Sequence, residues 1–390
     1  MRMFLSTFYL VLISQGIFHC SSNKKETPEE IRKKQFSSLT TFYSGKEGNG
    51  FETPDPKAPV VSHFHKDQKI KIIESFTDPR RNLFGWILVQ DEFGKESWIR
   101  RESIGARLQS NEGIGEIYSP GRVFDDGSSE SAHPGENLGL TLEFFLQKGE
   151  IYSFGHWEKK KYRQFSVGSK EKLKYFSESR NAVLDIAKAR RLGEKDDGNL
   201  GCWFGYKYRA KSEIPPEEIR LKDIVYKGDI QPKLITGELQ FSIKDELLID
   251  RILKIAEELR PYSKIEEIRR NDDLRPWKCE SDHCHTAIWK LPNKTYLFVT
   301  LENRTGPGVQ SLFLIVSIEK GIEKVIFYHF DQGSETKALF FSRLTDIDGD
   351  GVPELWLSDE NSQGESFIMK FFLLEKDLLL PLGKRYWTGC

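Results

Sequence analysis

Apolar and polar residues alternate in short segments along most of the chain, and this period of two residues predicts β-strands. Early examples are residues 69–73, 85–90 and 97–104, which turns rich in Gly and Asp separate. Later segments such as TYLFVTLE and SLFLIVSI are apolar almost throughout, which is typical of central strands covered on both faces. The pattern therefore predicts a mainly β protein.

Helical spacing follows residue 240. Ser242 and Asp245 resemble a capping box, and apolar residues then recur at helical spacing until Pro261. These apolar residues are Ile243, Leu247, Leu248, Ile252, Ala256 and Leu259. We predict that residues 236–390 form an α+β domain or a β-sandwich with one docked helix. Residues 107–235 are predicted to be an antiparallel β region, and they indicate no family.

Residues 41–106 carry a spaced set of tryptophans. Trp86, Val89, Gly94, Trp98 and Ile99 reproduce the G-W-x-x-V, turn and W-I pattern of the bacterial SH3 family, which this segment resembles. It departs from that family where Thr53 replaces an arginine and Asp67-Gln68 replaces a Lys-Gly pair. The resemblance implies a small open barrel that binds cell-wall peptide or a protein partner and performs no catalysis.

Aromatic residues of this segment are the candidate ligand-binding side chains, because SH3-like loops expose aromatic groups beside polar ones to extended peptides. The candidates are Phe42, Tyr43, Phe51, Trp86 and Trp98. The alternative is that one or both of the tryptophans belong to the core of the barrel.

Residues 1–20 have the pattern of an export signal. Arg2 precedes a short apolar stretch at residues 4–13, and Cys20 is followed by a polar run. The arrangement resembles a bacterial lipoprotein signal with the relaxed cleavage box of spirochaetes, with Ile17 and His19 in the usual leucine and small-residue places. It implies lipid attached at Cys20; ordinary cleavage by signal peptidase is the alternative. Residues 21–40 are predicted to be a charged tether that either holds the folded part off the surface or forms a frayed helix.

Composition limits the partners. The chain has 58 basic and 59 acidic residues and a net charge of −1, so no nucleic-acid partner is expected. The predicted partners are a membrane, through the lipid anchor, and cell-wall peptide or an envelope protein. The predicted location is the cell envelope, at the outer membrane.

Four further cysteines allow three disulfide pairings. We predict that Cys279 pairs with Cys284 and that Cys202 pairs with Cys390, since an exported protein meets oxidising conditions. Two alternatives stay open: free thiols, or a zinc site that adds His283 and His285 to the nearby cysteines, although the spacing is not that of paired C-x2-C ligands.

An acidic loop is the motif with definite chemistry. Asp346, Asp348, Asp350 and Glu354 occupy positions 1, 3, 5 and 9 of one loop, and the carbonyl of Val352 adds a fifth oxygen suited to calcium. Position 12 is a leucine, so the loop is not an EF-hand. It resembles the calcium hairpin of FG-GAP repeats, although one copy predicts no propeller. A metal-free turn is the alternative.

The chain contains none of the motifs G-x-S-x-G, H-E-x-x-H, G-x-x-x-x-G-K-[ST] and G-x-G-x-x-G. Cys202 and Cys284 do not match the D-C-S-G setting of cell-wall peptidases. We therefore predict an exported binding or adaptor protein with a structural calcium site, and no enzyme. The alternative is an unrecognised cell-wall hydrolase that an SH3 domain targets.

Overall fold

The structure, a computed structural model, is mostly β-strand, as the alternating pattern predicted. None of the helices in its described ranges is long and apolar enough to cross a membrane. Those ranges are residues 27–109, 114–122, 134–147, 149–153, 173–177, 182–186, 189–191, 207–218, 223–228, 230–259, 276–280, 283–305, 308–333, 337–361 and 370–382.

The described part of the predicted tether is largely helical. Helix α1 (Pro28–Ser37) begins at a capping box, in which Thr27 accepts from the Glu30 N–H and the Glu30 side chain accepts from the Thr27 N–H. Phe36 is its one buried residue, and Arg32 donates to the Phe93 carbonyl at 2.9 Å. The helix thus lies beside the strands that follow. Residues 21–26 lie outside the described ranges.

An antiparallel sheet follows, which we call the N-terminal sheet. Its order is β3-β2-β6-β5-β4, and β1 pairs separately with β7. Because the two edge strands are not paired with each other, the sheet is open. The bounds are β1 Thr41–Tyr43, β2 Glu47–Phe51, β3 Val60–His65, β4 Lys71–Ser75, β5 Trp86–Gln90, β6 Glu96–Arg100 and β7 Ile104–Ala106.

The middle sheet has eight strands in the order β12-β11-β15-β8-β9-β14-β13, and β10 pairs with β9. All of its pairings are antiparallel, as predicted for this region. The bounds are β8 Ile114–Arg122, β9 Leu138–Gln147, β10 Glu150–Ser153, β11 Leu173–Ser177, β12 Ala182–Ile186, β13 Ala189–Arg191, β14 Lys207–Ala210 and β15 Ile224–Lys227.

Two sheets and a helix form the C-terminal part. A five-stranded sheet has the order β16 to β20, and a four-stranded sheet has the order β21 to β24. The bounds are β16 Glu238–Gln240, α2 Glu246–Leu259, β17 Cys284–Leu291, β18 Lys294–Thr305, β19 Gly308–Glu319, β20 Ile322–Gly333, β21 Lys337–Thr345, β22 Glu354–Asn361, β23 Lys370–Glu375 and β24 Leu378–Pro381.

Strands β18 and β19 are covered on both faces, which explains why they are apolar throughout. Leu297 and Val299 pack in a cluster with α2 residues, whereas the alternate residue Phe298 packs with Leu344 and Leu355 of the second sheet. Because neighbouring residues of a strand point to opposite faces, both sides must be apolar. The predicted sandwich with one docked helix describes this arrangement.

Helix α2 begins later than the sequence suggested. The Asp245 carboxylate accepts the Leu248 N–H at 3.2 Å, so Asp245 occupies the cap position that we assigned to Ser242. Leu247, expected on the packed face, is 76% exposed. Ile252, Ala256 and Leu259 are buried as expected.

The N-terminal sheet is fastened to the C-terminal part by a loop that follows β4. The Asp78 carboxylate is 2% exposed; it accepts the Val325 N–H at 3.1 Å and an Arg80 N–H at 2.8 Å. Burial alone would raise the pKa of Asp78, but hydrogen bonds from Arg80 and Val325 outweigh burial and lower it. The ionised form of Asp78 therefore stabilises this junction.

We expect Asp78→Asn to lower the free energy of unfolding by about 2 to 4 kcal/mol, since it removes the charged acceptor of the Arg80 guanidinium and the Val325 N–H. Denaturant titration of the full chain measures this loss. The control is Asp67→Asn, in a part-exposed ion pair with Arg107 worth less than about 1 kcal/mol. Asn also tolerates the positive φ of Asp67. Equal losses would contradict the assignment.

Candidate metal centre and ligand surface

The acidic loop joins β21 to β22 and folds through hydrogen bonds to its own aspartates. Asp346 accepts the Gly351 N–H at 3.0 Å, and Asp350 accepts the Val352 N–H at 2.7 Å. Gly349 and Gly351 have φ of +74° and +89°, which favours glycine at both positions. A Cβ on Gly349 would also lie 2.7 Å from the Gln231 carbonyl oxygen. The glycines therefore permit the tight turn.

Three of the predicted ligands converge. One carboxylate oxygen from each of Asp346, Asp348 and Asp350 lies within 4.8 Å of the other two. Glu354 is not part of that group; it is fully buried, and its Oε2 accepts the Ile347 N–H at 2.6 Å. The role of the Val352 carbonyl stays a prediction. The arrangement offers oxygen ligands from three side chains, and the buried carboxyl of Glu354 lies outside that group.

The loop is electrostatically unfavourable when its carboxyls are all ionised. Burial, followed by the charge of Asp350, raises the pKa of Asp348 to about 7. Burial likewise raises the pKa of Asp346 and of Asp350, and it raises that of Glu354 well above its ordinary value. The charge of Lys233 offsets part of this rise in the pKa of Asp346 and Asp350, and a bound cation would offset the remaining burial and mutual repulsion.

Two carboxyl oxygens at this site are orphaned. Asp346 Oδ1 and Glu354 Oε1 are buried, and neither has a hydrogen-bond partner in the described ranges. A buried acceptor without a partner costs about 1 to 3 kcal/mol, and more when it is charged. Oxygen ligands that lack donors suit a hard cation such as calcium or magnesium. The donor set therefore fits a metal ion.

The five predicted ligand-binding aromatics do not share one surface. Tyr43 is 6% and Trp86 is 4% exposed, so the expectation that these two side chains are presented to a ligand is wrong. Tyr43 stacks on Phe64 with ring centroids 5.4 Å apart, and Phe42 lies on the same strand as Tyr43, under the guanidinium of Arg107. As the alternative proposed, one of the two tryptophans is a packing residue.

Phe51 and Trp98 remain together on the outward face of the N-terminal sheet. They are register partners across β2 and β6, and Leu88 of β5 is the partner of Trp98 on its other side. Phe76 packs against Trp98 with centroids 5.5 Å apart. We call Phe51, Phe76, Leu88 and Trp98 the aromatic face; all four are partly exposed.

Phe76 was not predicted, because it lies in the loop after β4 and has no place in the strand alternation. Its neighbour Trp86 contacts Phe51 edge-on at 5.9 Å and lies under the Arg100 guanidinium at 4.0 Å. The buried tryptophan therefore packs against Phe51 beside the aromatic face, on the same side of the sheet.

The cysteine loop contains one disulfide, between Cys279 and Cys284. The predicted pair is thus present, and the zinc alternative loses its two thiolates. His285 instead packs edge-on against Phe340. Cys20, Cys202 and Cys390 lie outside the described ranges, so lipidation and the second disulfide stay predictions.

No protein-family model, curated protein or solved structure matches this chain. The resemblances to bacterial lipoproteins, bacterial SH3 domains and FG-GAP hairpins stay predictions, carried by the residues named for each.

Proposed function

We propose that the chain is an exported, lipid-anchored protein of the cell envelope that binds cell-wall peptide or a protein partner and is stabilised by one calcium ion. The observation that carries the binding function is the aromatic face. Phe51, Phe76 and Trp98 lie together and partly exposed on a sheet whose inward residues Ile87 and Ile99 are completely buried. The four side chains of the aromatic face are therefore not enclosed in the core.

Aromatic groups in this arrangement suit an extended polar ligand. They provide a large contact area at a low cost in conformational entropy, and Arg100 beside them supplies hydrogen-bond donors. Peptides of the cell wall fit such a surface because they are extended and carry carboxylates. This part of the proposal assigns no catalytic step to any residue.

Retention on purified cell-wall sacculi tests the binding. We expect the full mature chain to be retained and Trp98→Ala and Phe51→Ala each to lower the affinity by at least about tenfold, as for central interface aromatics. The control is Phe93→Ala, whose side chain is 76% exposed at the tip between β5 and β6, away from the aromatic face.

Two results would contradict wall binding: failure of the unmodified chain to be retained, or an equal loss in Phe93→Ala. Thermal melts of each variant separate lost affinity from lost folding. Release of soluble wall fragments during the same incubation would instead support the alternative function, a cell-wall hydrolase.

The proposed calcium site consists of Asp346, Asp348 and Asp350, with Glu354 and the Val352 carbonyl as further oxygen donors. The orphaned oxygens of Asp346 and Glu354 support it. The ion would supply charge neutralisation and coordination, and its role would be structural. The chain's own contribution is a turn that Gly349 and Gly351 permit and that backbone N–H groups hold in place.

Calcium should therefore stabilise the folded chain. We expect the melting temperature to rise in millimolar calcium and to fall with chelator, and we expect Asp348→Ala to remove the difference. A free calcium concentration 100 times the Kd would add about 2.7 kcal/mol. Identical melts of the unmodified chain in calcium and in chelator would contradict the site.

The pH dependence of the calcium effect is an internal control. The pKa of Asp348 in the folded chain is raised to about 7. Without the ion, the protonated form of Asp348 therefore stabilises the folded state at low pH, and this stabilisation is lost as the pH rises through about 7. The stabilisation by calcium should accordingly be small at pH 5 and largest at pH 8.

The proposed anchor is lipid on Cys20. Two or more acyl chains hold a protein firmly on a membrane, since each buried CH2 contributes about 0.8 kcal/mol. Mass spectrometry of the mature N-terminus measures this directly. We expect the first residue to be Cys20 with the mass of a diacylglycerol and any further acyl chain. An unmodified N-terminus at another residue would contradict lipidation and leave export intact.

A further inference from the structure

Two connecting segments of the chain meet on the acidic loop. The first leaves β7, and the main-chain N–H of Gln109 donates a hydrogen bond to Asp348 Oδ2 across a sequence separation of 239 residues. The second joins β15 to β16, and the Lys233 N–H donates to the Asp346 carbonyl at 2.8 Å. We call residues 107–109 and 230–237 the two connectors.

Further contacts hold the second connector. The Lys233 ammonium donates to the Gly349 carbonyl, and the Gln231 carbonyl lies so close to Gly349 that a Cβ there would be 2.7 Å away. Glycine at this position therefore permits the approach of the connector as well as the turn. The loop and the connector are packed as one unit.

The loop also packs into one apolar core, to which the N-terminal sheet, the middle sheet and the C-terminal part all contribute. Ile347, between the first two aspartates, is completely buried in one cluster with Ile87 of the N-terminal sheet and Ile117 of the middle sheet. Leu108 of the first connector and Leu234 of the second join the same cluster. Any movement of the loop would thus displace both connectors.

We propose that the acidic loop is the point at which the N-terminal sheet, the middle sheet and the C-terminal part are fastened together, and that calcium controls how firmly both connectors are held. This inference rests on the proposed calcium site. Glu354 and Asp346 each have a buried carboxyl oxygen with no hydrogen-bond partner among the described residues, which supports a cation at this loop. A cation would fix the Asp348 carboxylate, which accepts from the first connector, and the Asp346 backbone, which accepts from the second.

Hydrogen–deuterium exchange of the full mature chain, with calcium and with chelator, tests the inference. We expect calcium to slow exchange at the Gln109 and Lys233 amides by about tenfold or more, in step with the loop. The Gly94 amide, bonded to the Asp91 carbonyl at 3.0 Å in the β5–β6 turn, is the distant reporter and should not change.

Asp348→Ala should remove the calcium response of both connector amides, whereas Asp250→Asn, on the exposed face of α2, should leave it intact. The comparison of calcium with chelator in the unmodified chain holds even if Asp348→Ala fails to fold. If calorimetry shows calcium binding but the exchange rates of the Gln109 and Lys233 amides do not change, the inference is wrong and the calcium site still stands. Absence of calcium binding would overturn both.

Discussion

One apolar core that residues from all three parts build together is the constraint on which the rest of the structure depends. It combines Ile87 and Ile99 of the N-terminal sheet, Ile117 and Tyr226 of the middle sheet, and Trp356 of β22. Burial of apolar area is the main favourable term in folding, about 25 cal/mol per Å². Because the three parts share one such core, the N-terminal sheet gains much of its stability from its neighbours. It does not behave as a binding module attached through a flexible linker.

Polar contacts around that core determine how the parts are oriented. Lys376 donates to the Ile72 carbonyl at 2.6 Å, and Arg101 donates to the Leu379 carbonyl at 3.0 Å. Lys376 and Asp377 both have positive φ, a conformation that costs non-glycine residues roughly 1 kcal/mol or more each. A two-residue β-hairpin loop favours this positive φ at both positions. Lys376 bonds to β4 of the N-terminal sheet, whereas the Asp377 carboxylate accepts from Lys294 and Tyr296 of β18. Hydrophobic burial thus provides the stability, and these hydrogen bonds provide the orientation.

The sequence predicts the local parts of this fold well and its long-range parts poorly. Alternation predicted β5, and nearly continuous apolar segments predicted the covered strands β18 and β19, because both patterns are properties of the strand itself. The predicted start of α2 was wrong. Ser242 and Asp245 are both good capping residues, and the local sequence does not decide which of them caps the helix. Burial of Trp86 was not predictable from the strand pattern. That pattern assigns Trp86 to the outward face, where Phe51 of β2 and Arg100 of β6 contact it once the strands have paired.

In the acidic loop, too, the local structure is predictable from the sequence and the long-range contacts are not. Three aspartates at alternate positions with nearby glycines predict converging carboxylates, since only nine residues are involved. Nothing in those nine residues indicates that Gln109 and Lys233 contact them, because both contacts arise from the way the three parts pack. The two faces of the N-terminal sheet likewise have different surroundings. Trp98 faces outward with Phe51 and Leu88, while Ile99 next to it is buried in the shared core. Firmer fastening of the inward face would therefore hold the aromatic face rigid without covering it.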